Sequence, residues 1–160
     1  MVKRSGVLMI TEADIEELLF EWYHVPAWIK AHVSSRCPPH RYAGELSLED
    51  ENLAFRGRDI KESKSCRLEI PLASITRVAF GFSEQLKANI DPSFGTGGPA
   101  PFAVWYRDGS QEHTLYFNTS FSKFLIDRAS RNREWYETLC DVVTYRRQKP
   151  VSDHILARAK

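Results

Sequence analysis

The sequence has little of what would announce a chemistry. Its three cysteines, Cys37, Cys66 and Cys140, stand far apart with no short spacing between them. That pattern argues against a disulfide framework or a paired-cysteine metal knuckle, and it fits a reducing compartment. Neither sign of charge is in excess: 22 Lys and Arg against 21 Asp and Glu leave a formal +1. There is then no global field to steer nucleic acid or an anionic membrane, and such a partner would need a local patch. No apolar run approaches the roughly eighteen residues of a membrane span, and Gly6 to Ile10 is too short for the apolar core of a secretory signal. The expectation is a cytoplasmic protein with no nucleic-acid partner. No GxSxG elbow is present, no cysteine has a nucleophile signature beside it, and Gly95, Gly97 and Gly98 are not followed by the Gly-Lys-Ser/Thr of a phosphate loop. His32, Cys37 and His40 show no fourth ligand. No catalytic residue, metal or cofactor is assigned.

What is present is an ordinary globular composition, 42% hydrophobic with four Trp, six Tyr and nine Phe, and of a length suited to one domain with an appendage. Thr11 followed by Asp14 is a capping-box-like helix start, with Ile10 and Ile15 placed to staple across it. Ile15, Leu18, Leu19, Trp22 and Tyr23 then recur at helical spacing. Pro26 kinks or restarts the helix, Trp28, Ile29 and Val33 continue it, and Pro38-Pro39 end it. The stripe has two readings: docking on the chain's own core, or a partner or dimer surface made by Leu18, Leu19, Trp22, Tyr23 and Trp28. Residues 1–40 are read as a helical arm.

From Tyr42 the period changes to two. Tyr42, Gly44, Leu46 and Leu48 share a face, Glu49 to Asn52 turns, and Leu53 and Phe55 return. Arg56 to Ser65 reads as a polar connection. Strands follow at Leu68 to Pro71 and Ile75 to Phe82, and a second hairpin at Phe102 to Asn118 turns on Asp108-Gly109. The 83–101 segment, rich in Pro and Gly, reads as a long loop. His113 shares a strand face with Leu115 and Phe117, which suits an edge or core histidine or a ligand contact. A last helix, capped by Asn132, carries Trp135, Leu139 and Val142 on one stripe with Tyr136, Cys140 and Val143 beside it. The resulting division is a helical arm over 1–40, a β-rich domain over 41–148 and a tail over 149–160.

Antiparallel hairpins, the segment IPLASITRV between two strands, a DG turn and a final helix with Trp near its start, NREWYETL, together resemble the pleckstrin-homology-like barrels, GRAM-type and bacterial relatives included, over about residues 42–147. The resemblance implies an α+β, mainly β fold: a bent antiparallel barrel or orthogonal sandwich of seven strands, capped by a C-terminal helix whose Trp packs on the core, here with an N-terminal helical appendage. Six strands are legible, and the seventh is sought in 60–66 or 119–130. Phosphoinositide-binding members carry Lys and Arg around the loop joining their first two strands; here that loop is Glu49-Asp50-Glu51-Asn52, whose carboxylates would repel a phosphorylated headgroup, so that site is expected to be absent. Arg56, Arg58, Lys61, Lys64 and Arg67 are the densest basic stretch and the first place to seek an anion or acidic partner. The expected function is a non-catalytic module binding a protein or peptide along a strand edge or helix groove. The alternatives are a small-ligand-binding or enzymatic half-open barrel with 83–101 as its lid, and weak peripheral membrane association.

Overall fold

In a computed structural model of the chain, residues 2–21, 40–81, 101–119 and 130–148 are described. They form strands β1 (Val2–Thr11), β2 (Tyr42–Leu48), β3 (Asn52–Asp59), β4 (Ser65–Pro71), β5 (Ile75–Phe80), β6 (Phe102–Asp108) and β7 (Gln111–Asn118). Helix α1 (Glu12–Glu21) follows β1, and helix α2 (Ser130–Gln148) ends the described chain. The strands make one sheet in the order β4-β3-β2-β1-β7-β6-β5, every neighbouring pair antiparallel.

The expectation of an N-terminal helical appendage is overturned. The chain opens with a strand that lies in the middle of the sheet, between β2 and β7. That strand supplies the seventh, sought in 60–66 or 119–130; of the second stretch, 120–129 lie outside the described residues. It escapes a period-two search because both its faces are covered: Val7 and Met9 join the main core, while Ile10 joins a second cluster with Ile15, Ala103 and Tyr116. The capping box does hold, for Asp14 N–H donates to Thr11 Oγ1 at 3.0 Å and Thr11 N–H donates to Asp14 Oδ2 at 3.1 Å. Ile10 and Ile15 meet across it in one cluster. The described part of the helix ends at Glu21, so Trp22, Tyr23 and Trp28 of the predicted partner surface lie outside the described residues. Leu18 and Leu19 are on α1.

The sheet is rolled rather than flat. β4 and β5, at opposite ends of the order, are joined only by the 3-10 turn Leu72–Ser74. Six strand spacings in a flat sheet would separate them by about 29 Å, whereas the four Cα steps from Pro71 to Ile75 reach at most about 15 Å. The interior agrees: Phe55 on β3 and Phe117 on β7, three strands apart in the order, have ring centroids 6.3 Å apart.

A crease helps to make the roll. Val7, Gly44, Gly57 and Cys66 stand in one row across β1, β2, β3 and β4. A Cβ on Gly44 would lie 2.3 Å from the Arg56 carbonyl oxygen, so only glycine allows the approach. One row over, Gly6 bulges β1 at φ +69. The stretch expected as a polar connection, Arg56 to Ser65, is strand through Asp59; its inward positions are Gly57 and Asp59, which carry no hydrophobic signal.

Helix α2 plugs the roll. Trp135 is 3% exposed and stacks on Phe102 with ring planes 1° apart, and Leu139 and Val143 follow on the same stripe. Asn132 is not the cap expected of it. It sits inside α2, buried, where its Oδ1 accepts from Thr119 N–H at 2.6 Å and its Nδ2 donates to Asn118 Oδ1 at 3.2 Å, tying the helix to the end of β7. The β6–β7 turn comprises Gly109 and Ser110, with Gly109 at φ +60 in the first central position, as a tight hairpin requires.

Candidate functional site

Two features stand out where β1 becomes α1. The first is a cleft. β1 pairs with β7 only through Leu8↔Asn118, Met9↔Phe117, Ile10↔Tyr116 and Thr11↔Leu115. At Thr11 the capping box turns the chain away, so Gln111 to Thr114 keep β6 on one side and, among the described residues, have no strand on the other. The space left is about 330 Å³, lined by Thr11, Glu12, Ala13 and Glu16 from α1 and by Glu112, His113, Thr114, Leu115 and Tyr106 from the hairpin. Tyr106 and His113 stack with centroids 5.2 Å apart, and burial pushes the Tyr106 hydroxyl pKa up. Glu112 accepts a hydrogen bond from Thr76 Oγ1 at 3.0 Å. Among the described residues Glu12 and Glu16 make no ion pair.

The second is a charged clasp on Arg41. Its Nη1 donates to Asp14 Oδ1 at 2.7 Å and its Nε to Asp59 Oδ2 at 2.9 Å, with Glu17 and Glu62 at 3.7 and 3.4 Å. The second Asp59 oxygen accepts the backbone N–H groups of Lys61 and Glu62. Burial acts to raise the Asp59 carboxyl pKa, but those N–H groups and the guanidinium prevail and hold it below the usual carboxylate value. Burial likewise acts to lower the Arg41 pKa, and the Asp14 and Asp59 carboxylates more than reverse it. Each guanidinium nitrogen of Arg41 faces a carboxylate, and the clasp fixes α1 to the β3–β4 turn.

The predicted basic stretch is on the page as a lattice of mixed sign. Arg56 and Arg67 are cross-strand partners flanked by Glu49 and Glu69. Lys61 meets Glu17, Lys64 meets Glu62, and Arg58 Nε donates to the Ser63 carbonyl. These five cations do not converge on a shared space. The acidic turn Glu49 to Asn52 joins β2 to β3, not the first two strands; the true first connection is 12–41, and its described helix carries Glu12, Asp14, Glu16, Glu17 and Glu21 with no Lys or Arg. Of His32, Cys37 and His40, only His40 is described. The 83–101 loop is outside the described residues except Pro101.

Sequence reasoning singled out His113 but none of Tyr106, Glu112, Glu12 or Glu16. No local signal marks them, because the cleft exists only through pairing between residues about a hundred positions apart. Compared with models of protein families, with curated proteins and with solved structures, the chain matches none. Among the described residues no helix is long and apolar enough to cross a membrane.

Proposed function

We propose that this chain is a non-catalytic, pleckstrin-homology-like interaction module that takes an extended segment of a protein partner in the cleft between α1 and β7. The observation that carries the reading is the short edge of β7, Gln111 to Thr114, which no strand pairs among the described residues and which opens onto a space of about 330 Å³. A strand edge offers backbone donors and acceptors that an extended peptide satisfies, and pockets beside it read alternate side chains. Seven antiparallel strands in a rolled sheet, with Trp135 of the last helix against the interior, support the resemblance to that family. The filled interior, where Phe55, Phe102, Phe117 and Trp135 stack in one cluster, weighs for a module and against a hollow carrier.

Selection of displayed random peptides on the full chain, followed by amide hydrogen exchange, tests the reading. The expected result is slowed exchange at Glu112 to Leu115. Selected peptides that slow exchange only elsewhere on the sheet would place the binding edge outside this cleft.

A further inference from the structure

We infer that the segment recognised at this cleft is cationic: a lysine or arginine of an extended peptide enters between α1 and β7, held by Glu12, Glu16 and Glu112. The inference rests on the cleft being the docking site and adds the chemistry of what docks.

Two observations converge on it. Among the described residues the lining holds three carboxylates and no Lys or Arg. Arg107 stands directly opposite Glu112 across the β6–β7 ladder, yet it forms no ion pair among the described residues, so the wall charge is not cancelled from that side. Second, and independent of charge, Thr114 is 7% exposed and lines the cleft, on the sheet face that it shares with Trp105 and Tyr116 and that Ile15 of α1 covers. Its hydroxyl has no hydrogen-bond partner among the described residues and is not sealed from the cleft. The polar tip or backbone of an incoming segment can pair with it there.

These groups sit at the point where β1 has left β7, so a bound strand takes the place β1 vacates. Strand alternation then sends every second side chain toward α1, where the carboxylates are.

The test uses the full chain and three capped pentapeptides of alternating valine with lysine, glutamine or glutamate, titrated to about 1 mM, the weak end of measurable affinity. Backbone amide shifts locate binding. The expected result is saturable binding of the lysine peptide alone, with shifts at Glu112 to Leu115 that shrink as salt rises, because screening weakens partly exposed ion pairs. The double variant E12Q/E16Q should bind it about tenfold more weakly, as expected when charge-assisted contacts are lost. The salt series on the unaltered chain carries the charge argument even if that variant fails to fold. Equal binding of the lysine and glutamine peptides, with shifts still at Glu112 to Leu115, would overturn the cationic selectivity and leave the docking site standing. Lysine-peptide shifts confined to another surface, or no saturable shift with any peptide, would overturn both. Self-association that perturbs these same amides without peptide would put a second copy of the chain in the cleft and likewise overturn the inference.

Discussion

Strand β1 treats its two neighbours differently. Against β2 it is paired from Val2 to Met9, across a crease where Gly44 and Gly57 bring backbones closer than any side chain would permit. Against β7 it is paired only from Leu8 to Thr11, and beyond that the strands part around a cleft. One junction carries the crease that bends the sheet; the other opens an edge of β7 onto a cleft. A site built at the second junction alters nothing that the first one depends on, and that separation lets a small, well-filled domain hold an open cleft.

The largest test of this contrast removes the plug. Trp135→Ala should destabilise by about 3–5 kcal/mol, the usual cost of truncating a buried aromatic, read as a fall in the urea midpoint. An unchanged midpoint would mean that α2 does not close the roll. Next come the glycines. Gly44→Ala would force Cβ against backbone, 2.3 Å from the Arg56 oxygen and 2.5 Å from Gly57 Cα, and should cost about 3 kcal/mol or more. Gly6→Ala meets nothing within 4 Å and suffers only its φ of +69, so about 1–2 kcal/mol is expected. Equal effects from the two would show that the crease is conformational rather than steric.

The smallest effect concerns the clasp that fixes α1 beside the cleft. Asp59 has a folded pKa below its unfolded value of about 3.9, so its contribution is present above that value and is lost as pH falls through the depressed folded value. Asp59→Asn should therefore be less stable than the parent near pH 6, with the gap narrowing below about pH 4. Urea unfolding of both proteins from pH 6 to 3 measures this; a gap that stays constant would mean that Asp59 is not held ionised by Arg41.

Much of the sheet was legible from residues: the faces of β2 to β4, the β6–β7 hairpin, the Thr11–Asp14 capping box and the buried Trp135 all follow from local period or local turn chemistry. What was not legible is non-local or unsigned. β1 lacks alternation because Met9 and Ile10 are buried on opposite faces, and its Gly6 interrupts the run. The end of β3 hides behind Gly57 and Asp59. Asn132 has the type of a cap, but its partners Thr119 and Asn118 stand 13 and 14 residues earlier, beyond any local spacing rule. The cleft was invisible for the same reason, since Glu12 and Glu112 become neighbours only when β1 finds β7.

That meeting also sets the order in which the molecule can be made. The β2–β3–β4 and β5–β6–β7 meanders join near neighbours in sequence, while Leu8 pairs with Asn118, 118 − 8 = 110 residues later. At synthesis rates of about 5–20 residues per second, β1 waits roughly 5–20 s for its second partner. During that wait Val7 to Ile10, apolar on both faces, has one edge without a mate, the kind of segment that pairs with the wrong chain. Among the described strands, β1 is the one that waits longest for its second neighbour.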